Sequence, residues 1–188
     1  MTLTELLGAL SGVLDQIGIP YMIVGSLASA FHGEPRATQD VDVVIDPSIA
    51  QLDELMRSFD RASFYVGDGR TALVRRGMFN VVDTTSGWKV DFIIRKDREF
   101  SVVELARRLE AQVLGVRVRI AAPEDTVLTK LEWSLISGSD RQVSDAAAII
   151  AVGGADLDWG HLRAWAHHLG VDDLLRRAEA EAAGEPPG

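Results

Sequence analysis

The chain contains no cysteine among its 188 residues. This absence excludes a disulfide-stabilised scaffold and any thiolate-ligated zinc or iron–sulfur site. No stretch approaches the ~18 consecutive apolar residues of a membrane-spanning helix, and the first residues, Met1-Thr2-Leu3-Thr4-Glu5, lack the basic start of a signal peptide. We therefore expect a cytoplasmic protein without a membrane partner.

Several familiar catalytic motifs are also missing. The sequence has no Walker lysine motif, no dinucleotide-binding fingerprint and no Ser-His-Asp set. Four histidines, at positions 32, 161, 167 and 168, show no convincing metal-ligand spacing. The chemistry must therefore come from other residue types.

The composition that is present is typical of one compact domain with a real core. Hydrophobic residues make up 47% of the chain and charged residues 25%, which is too apolar for a disordered protein. The net charge of −9 argues against a generic nucleic-acid binder. Residues 57–119 nevertheless contain 13 basic and 8 acidic side chains, between two strongly acidic flanks. This basic middle could face an anionic substrate, and the alternative is a surface of mixed charge.

Hydrophobic periodicity predicts a fold in which strands and helices alternate before a helical C-terminal third. We expect a first helix capped by Thr2 or Thr4 and a third helix capped by Ser48, with mixed β structure over residues 61–100. The predicted strands span residues 21–24, 40–46, 64–66, 78–82, 89–94 and 113–120. The later predicted helices span 101–109, 123–137, 141–152 and 158–180. The fold class is therefore α/β (α+β), with a core over 1–120, a helical region packed on it over 121–183 and a flexible tail over 184–188.

The strongest local signal pairs a glycine turn with two aspartates. Gly25-Ser26 stands where a buried strand passes into a helix, so the backbone can approach a ligand closely and the free N–H groups of the helix start attract phosphate. Asp40 and Asp42 alternate with Val41 and Val43 on the next predicted strand, which directs both carboxylates to one face. Two such carboxylates repel each other unless a cation is bound, and oxygen-only ligands suit Mg²⁺ or Mn²⁺.

A third carboxylate lies on a later strand. Asp91 interrupts the largely apolar run Val90-Asp91-Phe92-Ile93. If that strand lies beside residues 40–46, Asp91 reaches the same ion and completes a two-metal arrangement. A phosphate cradle beside two or three carboxylates predicts a nucleoside-triphosphate site.

These residues resemble the signature of the nucleotidyltransferase superfamily, in which Gly-Gly or Gly-Ser is followed after about ten residues by Asp-apolar-Asp or Asp-apolar-Glu, and later by a lone Asp on a strand. Over about residues 20 to 175 the chain most resembles small bacterial proteins related to the AbiEii-like toxins of type IV toxin–antitoxin pairs. The further matching stretches are Arg36-Ala37-Thr38, residues 78–83, Lys89-Val90-Asp91-Phe92, Pro123-Glu124-Asp125, residues 128–131 and residues 141–145. The combination is specific although each motif alone is weak.

The resemblance implies a minimal polymerase-β-like core that transfers a nucleotidyl group from a nucleoside triphosphate and releases pyrophosphate. It implies that Asp40, Asp42 and Asp91 bind two Mg²⁺ or Mn²⁺ ions, with Asp91 best placed as the general base. It further implies nucleotide binding, with the triphosphate contacted by residues outside the carboxylate set. These residues are Gly25, Ser26, Arg36, Thr38 and Lys130. Asp145 matches an acidic residue that the family has in the following helix.

Most of these residues also have a purely structural interpretation, and for Asp40 and Asp42 it is the solvated face of an edge strand. Asp91 could pair with Lys89, which shares its strand face, or with Arg95. Lys130 could be a helix lysine paired with Glu132 or Asp125. Arg36 and Thr38 could brace their loop by hydrogen bonds, and Arg141 with Asp145 could form a helix-surface pair.

Three functions remain open at this stage. The first is a toxin that modifies RNA or tRNA, with a cognate antitoxin as partner, which the basic middle favours. The second is an enzyme that modifies a small molecule such as an aminoglycoside, which the acidic flanks favour. The third is a non-catalytic nucleotide-binding or antitoxin module. Against it, a site that has lost its activity has no physical reason to keep three carboxylates that repel each other.

Overall fold

A computed structural model describes residues 1–35 and 38–184 of the chain. Arg36 and the last four residues of the expected tail therefore lie outside the described residues. The elements in chain order are α1 (Leu3–Ile17), β1 (Tyr21–Val24), α2 (Gly25–His32), β2 (Asp40–Ile45), α3 (Ile49–Ser58), β3 (Phe64–Val66), α4 (Gly69–Arg75), β4 (Met78–Asp83), β5 (Lys89–Ile94), α5 (Glu99–Arg107), β6 (Leu109–Val113), β7 (Val116–Ile120), α6 (Pro123–Ser137), α7 (Asp140–Gly153), α8 (Trp159–Leu169) and α9 (Asp172–Ala182). In the part of the chain so described, none of these helices has the length and hydropathy needed to cross a membrane.

The chain divides into two compact units. The first consists of Met1–Ser26 and Ala37–Ala121, and it contains every strand named above. The second consists of Leu27–Arg36 and Ala122–Gly188, so most of α2 groups with the C-terminal helices. The mixed α/β fold class with a helical C-terminal region is confirmed.

A seven-stranded mixed sheet forms the first unit, in the order β3-β4-β5-β2-β1-β7-β6. The pairs β2–β5 and β1–β7 are parallel, and the other four pairs are antiparallel. The pairing of β2 with β5 confirms that the strand of Asp91 lies directly beside the strand of Asp40 and Asp42.

The two faces of the central strands differ in character. In β2 the residues Val41, Val43 and Ile45 are fully buried, whereas the alternating residues are exposed or half-buried. On the buried face the ring of Phe92 stacks on that of Phe79, with centroids 5.1 Å apart. This apolar face fixes the register, because a slip of one residue would place the carboxylates in the core.

The caps of α1 and α3 lie where the sequence predicts them. Thr2 and Glu5 form a reciprocal capping box at the start of α1, and Ser48 forms one with Gln51 at the start of α3. Each box satisfies backbone N–H groups that have no partner inside the helix.

Four predicted boundaries were wrong. The expected mixed β structure over residues 61–100 contains the helix α4, which begins at its cap Asp68. Helix α5 starts at Glu99 instead of Ser101 and ends at Arg107, so Leu109 belongs to a strand. The single strand expected over 113–120 is the second half of the hairpin β6–β7. The last helix is two helices, α8 and α9, because Gly170 takes a left-handed backbone conformation between them.

Buried polar contacts join the helices of the second unit. The carboxylate of Asp125, in α6, lies 2.6 Å from Nε2 of His161 in α8, and both side chains are largely buried. Glu124 accepts a hydrogen bond of 3.0 Å from the backbone N–H of Asp158. These contacts fix the N-terminal turn of α6 against the start of α8.

Candidate active site

The three predicted carboxylates lie on one face of the sheet in the first unit. Asp42 of β2 is the direct register partner of Asp91 in β5, and Asp40 lies two residues before Asp42 on the same face. Val24 is the register partner of Asp42 on the other side, so the glycine turn after β1 comes next to this carboxylate. Strand pairing alone therefore brings together Gly25, Asp42 and Asp91.

Glycine at position 25 is required by this close approach. Its φ of +66° is in the left-handed region, and an added Cβ would lie 2.8 Å from Cγ of Asp42 and closer still to its Oδ2. Real Cβ atoms do not tolerate such contacts, so a side chain at this position would displace the Asp42 carboxylate. Gly25 and Ser26 are both half-buried at the first turn of α2.

Lys89 connects two of the carboxylates. Its Nζ lies 2.8 Å from Oδ2 of Asp91 and 3.4 Å from Oδ2 of Asp40. The hydrogen bond to Asp91 is the main cause that raises the pKa of Lys89, and the charges of Asp91 and Asp40 add to it. The alternative pairing of Asp91 with Lys89 is therefore what the structure contains, whereas Arg95 pairs with Asp46 and Asp97.

Asp91 is the most buried of the three carboxylates, and its two oxygens differ. Its side chain is 9% exposed, and Oδ2 accepts from Lys89. Its Oδ1 is buried and has no hydrogen-bond partner among the described residues. Leaving a charged oxygen buried without a partner is costly, and such a group is typical of a site that awaits a ligand.

The donor set fits a divalent cation in type. It offers carboxylate oxygens without sulfur or imidazole, which is the preference of Mg²⁺ and Mn²⁺, and the buried Oδ1 of Asp91 is available. Within residues 1–35 and 38–184, no three acidic, histidine or cysteine side chains already converge at metal-binding geometry. Binding through both Asp40 and Asp91 would thus require the ammonium of Lys89 to move.

A cavity of about 400 Å³ is lined by residues of β3, α4, β4 and the segments between them. Asn80, one of its lining residues, is the register partner of Asp91, and Tyr65 and Met78 are both more than half exposed there. The full lining consists of Tyr65, Gly67, Asp68, Thr71, Ala72, Arg75, Gly77, Met78, Phe79 and Asn80. Asn80 entered the sequence-based prediction only within the matching stretch 78–83, although a polar residue in the middle of an alternating strand was a usable signal.

The fold is shared with solved nucleotidyltransferase structures. An antigenic nucleotidyltransferase-like protein from Paracoccidioides brasiliensis is similar with a TM-score of 0.59 and 20% sequence identity, over 93% of this chain and 90% of that chain. ANT(2″)-Ia in complex with adenylyl-2″-tobramycin is similar with a TM-score of 0.60 and 16% identity, over 88% and 96% of the two chains. The chain has a nucleotidyltransferase fold.

A third nucleotidyltransferase structure, the lincosamide antibiotic adenylyltransferase LnuA with lincomycin bound, matches with a TM-score of 0.54 and 10% identity, over 81% of this chain and 98% of that chain. At these identities the likeness shows the fold alone. No protein-family model matches the sequence, and no curated protein matches it either. The AbiEii-like resemblance therefore stays an expectation from the motifs.

Two other predicted nucleotide contacts, Arg36 and Thr38, come shortly before β2 in the sequence of this nucleotidyltransferase fold. Thr38 donates a hydrogen bond of 2.9 Å from Oγ1 to the backbone carbonyl of Asp40 and accepts one of 3.3 Å from its N–H. These bonds match the loop-bracing interpretation, since they fix the backbone on which the first carboxylate stands. Arg36 is outside the described residues, so its role stays a prediction.

Lys130 belongs to the second unit of the nucleotidyltransferase fold, where it forms a buried ion pair. Its Nζ lies 2.7 Å from Oδ2 of Asp145, and the side chains are 7% and 15% exposed. Lys130 therefore pairs with Asp145 and not with Glu132 or Asp125. The ion-pair partner of Asp145 here is Lys130 and not Arg141, which is exposed. This contact joins α6 to α7.

We expect Lys130→Met to lower the free energy of unfolding by about 3 kcal/mol, because it removes the buried ammonium that pairs with the carboxylate of Asp145. Denaturant unfolding measures this change. The double variant Lys130→Met/Asp145→Leu should regain most of the loss, and the exposed control Arg141→Ala should stay near the wild type. Unchanged stability in Lys130→Met would show that the ion pair has no structural role.

Proposed function

We propose that this protein is a nucleotidyltransferase that moves a nucleoside monophosphate from a nucleoside triphosphate to an acceptor hydroxyl. One observation carries the proposal: Asp42 and Asp91 are register partners on adjacent parallel strands, and Asp42 packs against a glycine turn that tolerates no side chain. The shared fold with nucleotidyltransferases of known structure supports it. Transfer requires a phosphate cradle next to carboxylates that bind divalent cations, and the glycine turn beside Asp42 and Asp91 supports both roles.

The residues divide the reaction between them. The turn at Gly25 and Ser26 would bind the β- and γ-phosphates through backbone N–H groups. Asp40, Asp42 and Asp91 would hold divalent cations, which when bound neutralise charge on the triphosphate and the attacking oxygen. The acceptor oxygen attacks the α-phosphorus in line, its bond to phosphorus forms as the bond to the bridging oxygen of pyrophosphate breaks, and Asp91 takes the hydroxyl proton.

RNA is our first choice of acceptor. The segment 57–119, which supplies β3, β4 and β5, has an excess of basic residues. The cavity that Asn80, the register partner of Asp91, helps to line is also lined by Arg75 and by Tyr65, which is exposed. An exposed aromatic ring and a guanidinium can stack on a base and contact a phosphate. Among the residues that line the cavity, the carboxylate is that of Asp68, which already accepts hydrogen bonds from Thr71.

A small-molecule acceptor is the second candidate. Two similar structures are of an enzyme in complex with adenylyl-2″-tobramycin and of a lincosamide adenylyltransferase, and the cavity volume of about 400 Å³ suits a drug-sized ligand. The cavity lining nevertheless offers little negative charge for a polycationic drug. We therefore rank this acceptor class below RNA.

A label-transfer experiment tests the proposal. The purified protein is incubated with Mg²⁺ and each α-labelled nucleoside triphosphate in turn, with total bacterial RNA or a panel of aminoglycosides and lincosamides. We expect label in an RNA band, lost in Asp42→Asn and kept in the matched control Asp156→Asn, which changes an exposed carboxylate. Label on a drug would establish the second candidate.

Absence of label with every nucleotide and acceptor, together with measurable binding of Mg²⁺-nucleotide by calorimetry, would instead indicate a non-catalytic nucleotide-binding module.

We further propose that the enzyme acts as the toxin of a toxin–antitoxin pair. Expression of the wild type in bacteria should then arrest growth, whereas Asp42→Asn should not. Equal growth of the two strains would contradict the toxin role without touching the transferase activity.

A further inference from the structure

Lys89 lies where it can affect the binding of divalent cations to the candidate site. By register it lies directly opposite Asp40 across the β2–β5 pair, and by strand period it shares a face with Asp91. Its ammonium bridges Oδ2 of both carboxylates, at 3.4 and 2.8 Å. The position therefore supplies the positive charge that these two carboxylates need in the absence of a divalent cation.

The bridge and a cation compete at Asp91, because the ammonium occupies Oδ2 and only the buried Oδ1 lacks a partner among the described residues. A divalent cation binds carboxylate oxygens at about 2.1 Å, whereas the ammonium already lies 2.8 Å from Oδ2 of Asp91. Two positive charges on neighbouring lone pairs of one largely buried carboxylate repel each other strongly. The four-carbon chain of Lys89, whose side chain is 32% exposed, can swing away without any change in the strand.

We propose that Lys89 is an exchangeable counter-ion of Asp40 and Asp91, displaced when divalent cations enter the site. The inference rests on the proposed function, since it concerns the same three carboxylates. It makes Lys89 a residue that sets cation affinity, and it leaves the chemical step to Asp91. Because the cation must break an existing ion pair, binding of the cation alone is weakened.

The exchange also links the cation to the nucleotide. A triphosphate brings negative charge to the face on which the displaced ammonium is left, so the ammonium gains a new partner at the moment it loses the old ones. The metal and the nucleotide then bind with positive coupling, each raising the affinity for the other by the same factor. Removal of the ammonium at position 89 should reduce that coupling.

Titration of Mn²⁺ alone into the metal-free protein tests the proposal, followed by calorimetry or by the loss of the free Mn²⁺ resonance signal. We expect Lys89→Met to bind Mn²⁺ about tenfold more tightly than the wild type, the change that loss of one competing ion pair of moderate strength produces. Lys89→Arg, which keeps the charge, should bind like the wild type. Lys96→Met, which removes an exposed lysine, is the matched control.

A second measurement does not depend on the titration. In EDTA we expect Lys89→Met to melt at a lower temperature than the wild type, because Asp91 then has no cation, and excess Mn²⁺ should close the gap. Lys89→Gln gives the same comparison with a polar side chain should the methionine variant fail to fold.

The possible results separate the two proposals. If Lys89→Met binds Mn²⁺ no more tightly than the wild type while Asp42→Asn abolishes binding, the counter-ion exchange is wrong and the carboxylate site stands. If wild type, Lys89→Met and Asp42→Asn all fail to bind Mn²⁺, both the exchange and the metal-dependent function are wrong.

Discussion

Asp91→Asn is expected to reduce nucleotidyl transfer by roughly 10³-fold, within the range for loss of a general base. Asparagine keeps the size of the side chain but can neither accept the acceptor's proton nor bind a divalent cation with full charge. The substitution breaks the ion pair with Lys89 and also removes a buried charge whose Oδ1 has no partner in the described structure. Because these two effects oppose each other, we expect little change in melting temperature.

Initial rates with saturating nucleotide measure the loss, and differential scanning calorimetry measures the stability. The control is again Asp156→Asn, an exposed carboxylate of the second unit. A variant that retains more than a tenth of the wild-type rate would remove Asp91 from the chemistry. A variant that unfolds at low temperature would show instead that the charge of Asp91 is structural.

Gly25→Ala is expected to reduce transfer by about 100-fold and stability by about 1 kcal/mol, the usual cost of a left-handed backbone for a residue with a side chain. The φ of +66° accounts for the stability loss, and the collision with Asp42 accounts for the activity loss. A displaced Asp42 would no longer match Asp91 across the strand pair.

The chain contains a matched control for this variant. Gly115, in the turn between β6 and β7, has a φ of +80°, and an added Cβ would meet nothing within 4 Å. Gly115→Ala should therefore lose similar stability but keep its activity. If both variants lose activity equally, the loss comes from the backbone and not from Asp42.

Side-chain alternation and turn chemistry made the central part of the fold predictable. The run from Asp40 to Ile45 alternates strictly between polar or half-buried and buried residues, and a buried strand followed by Gly25-Ser26 marks the turn into α2. These local patterns determine which face Asp40 and Asp42 share. Local patterns left open whether Asp91 shares that face, because this depends on the pairing of β2 with β5.

The wrong boundaries arose where the local sequence signal is weak or fits both a helix and a strand. Helix α4 has only seven residues and its Asp68 cap resembles a turn residue, so its valine and leucine were assigned to mixed β structure. Leu109 continues the apolar spacing of α5, but it pairs with Ile120 in a strand. The pairing of strands in the folded protein decides whether such a segment is a helix or a strand, and a short stretch of sequence does not carry that information.

The face that Asp40 and Asp42 share was predictable from the sequence, but the full set of ion pairs around the candidate site was not. Lys89 was foreseen as a partner of Asp91 because the two share a strand face. Its second contact with Asp40 required the register of β2 against β5, which a single sequence does not give. The pairing of Lys130 with Asp145 likewise depends on how α6 and α7 pack.

The parallel pairing of β2 with β5 also determines when the site can first exist. Asp42 and Asp91 are almost fifty positions apart in the chain, and two other strands lie between them in sequence. Contacts between such distant segments form late, because closing the intervening loop costs entropy that local structure does not repay. When a nascent chain has emerged from the ribosome only as far as β4, it therefore contains Gly25 and Asp42 but not Asp91, and the carboxylate pair cannot yet form. Binding that depends on Asp42 together with Asp91 would report completed pairing of the central sheet during synthesis.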